Sequence, residues 1–326
     1  MEQHLIDLHC DTLSALYKNG EKASLTENDL CVNIKGLRQG NSLAQFFACY
    51  VNAKESEGEE MWEKSYQQVL GMIDRMEEEC GKCPDIRIAK NASQIRENQR
   101  EGRISAVLTV EEGGVLNGKP ERIRTLYEKG IRLITLTWNY ENCLGAPNSR
   151  DASVMEKGMT EFGIRTVGEM NRLGMLIDVS HLSDGGFWDC IRCSDKPVIA
   201  SHSNARALCP HPRNLSDAML RALAEKGGVA GLNFYPVFLK EQADQVSLQD
   251  LARHAKYMIE TAGEDLPALG SDFDGFTGPE LTDYLTDISQ MEQLWNAMKK
   301  AGITERQLDK IWQGNAMRVI EEVLIS

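Results

Sequence analysis

The sequence predicts a single-domain (β/α)8 barrel over residues 1–326, on three observations. Eight short apolar, β-rich runs alternate with longer amphipathic or polar stretches, the pattern of strands joined by helical crossovers. Helix-start signals precede several of the long stretches, and glycines that end helices precede several of the runs. No Pro-, Gly- or Ser-rich linker divides the 326 residues, a length that suits one barrel of about 250 residues with insertions. An open doubly wound sheet shares the local pattern, but no GxGxxG follows the first run, which weakens its dinucleotide-binding version.

In chain order the strands are expected at 5–12 (LIDLHCDT), 43–51, 104–112, 131–138, 175–181, 197–203, 228–235 and 266–274. Each is a run of seven to nine mostly apolar or β-branched residues bounded by polar or turn residues. Helices are expected at 58–80, 120–129, 159–173, 184–194, 216–226, 247–262 and 287–300, with a last one at 304–324. Ser216 with Asp217, and Ser247, are side chains that cap helix starts; Gly130, Gly174 and Gly227 close helices just before strands. The polar insertion at 53–68 begins as a loop, runs into the second helix, and carries no assigned chemistry.

Charge and cysteine usage exclude several function classes. The net charge of −13 is spread along the chain and no Lys/Arg run marks a phosphate-binding surface, which argues against nucleic acid and anionic membrane as partners. Asp7 and Asp11 interrupt what would have to be an apolar signal core, and nothing later approaches the roughly 18 apolar residues of a membrane span. The chain therefore reads as a cytoplasmic protein, with a homodimer left open. Nine cysteines make an odd set without a dense framework and read as reduced thiols. The two CxxC pairs, Cys80 with Cys83 and Cys190 with Cys193, lie too far apart for a zinc ribbon.

The chemistry is expected where the strands end. In a strand, residues i and i+2 share a face, so His9 and Asp11 point one way and Cys10 the other. The third run ends in Glu111 and Glu112, the fifth in His181, the sixth in His202, and the eighth in Asp272 and Asp274. Burying such groups unpaired costs several kcal/mol. Their repetition at one end of five strands marks the end where a barrel builds its active site. Three histidines, Asp11 and a glutamate form a nitrogen and oxygen ligand set suited to zinc, with manganese, iron or cobalt also compatible. A bridging glutamate divides the set evenly, His9 and Asp11 on one ion, His181 and His202 on the other, with a shared water acidified toward neutral pH. Asp272 is left as a carboxylate able to take the water's proton and return it to a leaving amine.

These residues resemble the membrane dipeptidase (renal dipeptidase) family of zinc metallopeptidases. The likeness runs through DLHCDT, NIKGLRQGNSLAQFF (33–47), TVEEGG (109–114), IDVSHLS (177–183), ASHSNAR (200–206), PRNLSD (212–217), GLNFY (231–235) and GSDFDG (270–275). It implies a (β/α)8 barrel, two Zn2+ per chain and hydrolysis of small dipeptides, often including those with a D residue at the C-terminal position. It also implies His9 and Asp11 as ligands of the first zinc, His181 and His202 of the second, and a glutamate from TVEEGG as the bridge. Glu111 is assigned that place because it follows the strand's TV directly. Asp272 matches the family's catalytic acid and base, and Arg213 the arginine that binds the substrate carboxylate. One departure stands out: Trp138 occupies the place where animal members have a substrate-contacting histidine. A barrel hydrolase of lactams, lactones or cyclic amides, and an inactive peptide- or metal-binding homologue, are the rival readings.

Overall fold

The computed structural model describes residues 3–55, 60–276 and 285–325. Its strands are β1 (Leu5–Cys10), β2 (Ser42–Tyr50), β3 (Ile86–Ile88), β4 (Ile104–Glu111), β5 (Ile131–Thr135), β6 (Leu176–Asp178), β7 (Val198–Ala200), β8 (Val229–Leu232) and β9 (Pro267–Leu269). All pairings between strands are parallel: β2, β1, β9, β8, β7, β6, β5 and β4 follow one another in space, and pairing of β2 with β4 closes them into an eight-stranded barrel. These eight are the eight expected from sequence, so the (β/α)8 fold holds.

The ninth strand, β3, was not expected. It pairs with β4 at Ile104–Ala106, on the edge that β5 takes up only from Leu108 onward. Three residues, IRI, are too few to show a period.

The helices are α1 (Thr12–Asn19), α2 (Ile34–Gln39), α3 (Met61–Lys82), α4 (Ala92–Arg100), α5 (Glu121–Glu128), α6 (Ala152–Met155), α7 (Glu161–Leu173), α8 (Asp184–Cys193), α9 (Asp217–Glu225), α10 (Leu248–Ala262), α11 (Met291–Lys300), α12 (Glu305–Asp309) and α13 (Asn315–Val323). The expected starts are real caps: the Ser216 side chain accepts from Met219 N–H, and Ser247 forms a capping box with Asp250. Gly130, Gly174 and Gly227 all adopt positive φ, a conformation that only glycine takes without strain. The helix expected from residue 58 is described from Met61; its first residues, 58 and 59, lie outside the described residues. The last expected helix is broken by a π turn at Lys310–Gly314. No helix among the described residues is long and apolar enough to cross a membrane.

All eight barrel strands contribute to one apolar cluster, through Ile6, Leu8, Leu43, Phe46, Val107, Leu133, Leu176, Ile199, Val229 and Ala268. Only the barrel lumen can gather them, and Ile320 and Val323 of α13 join it. Cys10, Phe47, Leu108, Val110 and Ile134 belong instead to the larger cluster, shared with the helices. Along β4 the alternation is regular, so Glu111 follows Val107 and Thr109 on the lumen side. Along β1 it slips. Leu8 is in the lumen and Cys10 outside, with a register irregularity between Asp7 and Cys10.

Candidate metal centre

The seven residues singled out in the sequence come together at the C-terminal end of the barrel strands. His9 is the last but one residue of β1, and Asp11 directly follows the strand as the residue before α1, with φ −97° and ψ 7°. The strand rule that paired them therefore does not apply as expected, because Asp11 has left the strand. They converge all the same, with Asp11 Oδ2 3.5 Å from His9 Nε2, and Cys10 is packed in the outer core with no exposed surface.

Glu111 lies between the histidines. Its Oε2 is 3.3 Å from His9 Nε2, while its Oε1 is 3.1 Å from His181 Nε2 and 3.7 Å from His202 Nε2. Glu112 takes a positive φ of 94° and turns away to accept from Gly114 N–H, Asn142 Nδ2 and Trp138 N–H. It pins the loop after β5 instead of facing the imidazoles. Asp272 Oδ1 is 3.7 Å from His9 Nε2, nearly as close as Asp11, and its Oδ2 accepts from Asn233 Nδ2 at 2.9 Å. Asp272, expected outside the ligand shell, thus forms a group with His9 and Asp11 whose ligand atoms lie within 4.8 Å of one another; His9, Glu111 and His202 form a second such group.

Several of these residues hold strained backbone: His181, Asp272 and Asp274 all have φ between 62° and 67°. Asp274 is held by Thr12 Oγ1 at 2.6 Å and Cys31 N–H at 2.8 Å, which ties the loop after β9 to the start of α1. Gly275 completes the turn because a Cβ there would collide with the carboxylates of Asp272 and Asp11.

The electrostatics are those of a buried acceptor cluster. Burial raises the carboxyls of Glu111 and Asp272, with His9 opposing and Asp11 adding to the shift. Burial lowers His181 and His202 well below the ordinary imidazole value, and the charges of Arg213 and His9 push them the same way. For His9 burial acts downward too, but Glu111 and Asp11 outweigh it and hold the ring well above its usual value. His9 Nδ1 and Nε2 and Asp11 Oδ1 are buried without a hydrogen-bond partner among the described residues. Buried ring nitrogens and a carboxylate oxygen left without partners beside further carboxylates and imidazoles are what a divalent transition-metal ion would satisfy, displacing the ring proton, and the ligand set fits one.

A cavity of about 340 Å3 opens onto this cluster, lined by Glu111, His181 and Asp272 below and by Tyr50, Trp138 and Tyr235 at the sides. Trp138 stands edge-on to Tyr50 and Tyr140, with ring centroids 5.0 and 5.4 Å away. Arg213 is buried nearby: Nη1 donates to Ser203 Oγ and Nη2 to the His202 carbonyl, both at 3.2 Å, and its Nε has no partner among the described residues. Sequence reasoning missed Tyr50, at the end of β2, and Tyr235, Asn139 and Asn233, on loops after β8 and β5, which meet only in the folded chain. Asp178 and Ser201, in the strand-end motifs IDVSH and ASHS, could have been flagged as polar residues within apolar runs.

Residues 1–325 match the family described as membrane dipeptidase, peptidase family M19. An uncharacterised protein from the pqqA 5′ region of Klebsiella pneumoniae is 37% identical over 247 residues, covering 73% of this chain and 89% of that one. The dipeptidase aclJ of Aspergillus oryzae is 32% identical over 323 residues, 95% of this chain and 75% of that one. Among solved structures, the M19 metallopeptidase named dipeptidase AC superposes with a TM-score of 0.90 at 27% identity, covering 99% of both chains. A metallopeptidase of Rhodobacter sphaeroides, liganded with a phosphinate mimic of the dipeptide L-Ala-D-Ala, superposes with a TM-score of 0.88 at 27% identity, covering 98% of this chain and 99% of that one.

Proposed function

The chain belongs to the membrane dipeptidase family, peptidase family M19, and is a peptide-bond hydrolase; we propose that it hydrolyses dipeptides with two zinc ions held by His9, Asp11, Glu111, His181 and His202. The observation that carries this reading is Glu111, whose two oxygens face His9 on one side and His181 and His202 on the other, with buried unpartnered atoms on His9 and Asp11 beside it. Bound there, the metal pair supplies an acidified water and polarises the scissile carbonyl.

The chain's own residues do the rest. The buried Arg213 guanidinium, beside Ser203 and the His202 carbonyl, binds the dipeptide's free carboxylate. That contact fixes which peptide bond lies over the cluster. Asp272 accepts the proton of the attacking water and returns it to the leaving amine. The Asn233 amide holds one Asp272 oxygen, leaving the other toward the cluster. Tyr50, Trp138 and Tyr235 wall the cavity. A D residue at the C-terminal position belongs to the same proposal, supported by the L-Ala-D-Ala mimic held by the R. sphaeroides peptidase.

Metal analysis coupled to a panel of L,L and L,D dipeptides and lactams, before and after chelation, tests the reading. We expect two equivalents of zinc and dipeptide turnover that chelation abolishes and zinc restores. Zinc binding with no turnover of any dipeptide, or a preference for lactams, would reject it.

A further inference from the structure

We propose that Asp178 and Ser201 form a relay that fixes the ring hydrogen of His202 on Nδ1 and so keeps its Nε2 lone pair facing the centre. The inference rests on the metal role proposed for His202 but not on the identity of the substrate.

Asp178, at the end of β6 and fully buried, accepts four hydrogen bonds: Ser180 N–H at 3.0 Å and Ser201 N–H at 2.8 Å on Oδ1, Thr135 Oγ1 at 2.6 Å and Ser201 Oγ at 2.6 Å on Oδ2. A carboxylate with its oxygens so engaged has no hydrogen to give, so the single hydroxyl hydrogen of Ser201 points at Asp178. Ser201 Oγ also lies 2.7 Å from His202 Nδ1. With its hydrogen already committed, Ser201 can only accept there, and His202 Nδ1 must be the donor. The reverse assignment would leave the Ser201 oxygen and the Asp178 oxygen facing each other at 2.6 Å with no hydrogen between them. Ser180 Oγ, 3.3 Å from Ser201 Oγ, accepts from His202 N–H and completes the set.

A neutral imidazole with its hydrogen on Nδ1 has a bare lone pair on Nε2. That atom lies 3.0 Å from His181 Nε2 and 3.7 Å from Glu111 Oε1, where an ion would be held. β8 packs closely on this segment, since any Cβ on Gly231 would strike the Ser201 carbonyl. Asp178 and Ser201 touch no substrate and are positioning residues. An outer partner of this kind orients a ligand and raises its basicity.

Long-range 1H–15N spectra of the full-length, chelator-stripped protein read the ring hydrogen directly. We expect the Nδ1–H form of His202 in the wild type and a shift toward Nε2–H in Ser201→Ala. Zinc competition should show affinity falling about 10- to 100-fold in that variant, and recovery in Ser201→Thr, which keeps a hydroxyl. The wild-type spectrum alone overturns the relay if His202 carries its hydrogen on Nε2, even should the variants fail to fold. Unchanged tautomer and zinc affinity in a folded Ser201→Ala protein would overturn it as well. A protein with the expected tautomer and zinc affinity that cleaves no dipeptide would reject the proposed function and leave the relay standing.

Discussion

His9 and the pair His181 and His202 flank the same carboxylate, Glu111, yet they are held in opposite ways. His202 is hydrogen-bonded through Nδ1 to Ser201, and His181 Nδ1 lies 3.2 Å from Asn139 Oδ1. Among the described residues neither ring nitrogen of His9 has a hydrogen-bond partner, and the ring sits among Asp11, Glu111 and Asp272. All three rings are buried, but burial lowers two of them while the surrounding carboxylates raise the third. Burial sets the scale of the shift, and the neighbours decide its sign. One side of the centre is built from neutral, pre-oriented rings and the other from a ring stabilised by opposite charge.

Removing the group common to both sides should have the largest effect. Glu111→Gln should cost both equivalents of zinc and reduce dipeptide turnover to background; metal analysis showing two ions retained would break the picture of a shared bridge. On the His9 side alone, Asp272→Asn should lower kcat about 10²- to 10⁴-fold with zinc retained. Loss of zinc in that variant would instead move Asp272 into the ligand set.

The two sides should also answer pH with opposite signs in the metal-free protein. His9, raised in the fold, contributes stability that is present below its unfolded value near 6.5 and is lost as pH rises through its folded value. His181 and His202, lowered in the fold, contribute stability that is present above 6.5 and is lost as pH falls. His254 reports the same sign away from the centre: burial lowers it to about 4, its Nδ1 accepts from Ala205 N–H and its Nε2 donates to the Leu239 carbonyl. Between pH 6.5 and about 4 that ring alone should cost about 3 kcal/mol. NMR titration should find His9 charged at neutral pH while His181, His202 and His254 stay neutral to pH 5; a His9 that titrates near 6.5 would erase the distinction. The smallest effect is expected at Cys10, on the outer face of β1. Cys10→Ser should keep both zinc ions and most activity, at a stability cost of about 1–3 kcal/mol for a buried hydroxyl, read by thermal unfolding.

Legibility in the sequence followed the strength of local pattern. All eight barrel strands were visible because each is an apolar run between turn signals. α1 was not, because it starts at Thr12 with no break after the strand-like LIDLHCDT. α4, ASQIRENQR, buries only Ile95 and Asn98 and so has almost no apolar period. α2 is six residues long, too short to show a period at all. For the site, the acidic and imidazole strand ends His9, Asp11, Glu111, His181, His202 and Asp272 were readable, and Arg213 followed from the family resemblance. Asn139, Asn233, Tyr50 and Tyr235 were not, since nothing local distinguishes them from ordinary loop polar or aromatic residues.

Local pattern along the chain is enough to specify the barrel, the end of it that carries chemistry and the types of ligand gathered there. Periodicity and polar residues at the ends of apolar runs are local properties, and they survive without a fold. Tertiary structure decided which glutamate faces the imidazoles, since Glu112 turns away through a positive φ to meet Trp138 and Asn142. It also decided that His9 and Asp11 meet across the exit of β1 instead of along a strand face, and that Asp178 reaches His202 through Ser201. Those are matters of register between neighbouring strands and of backbone turns at their ends, and distances of 2.6 to 3.5 Å between side chains exist only once the barrel has closed.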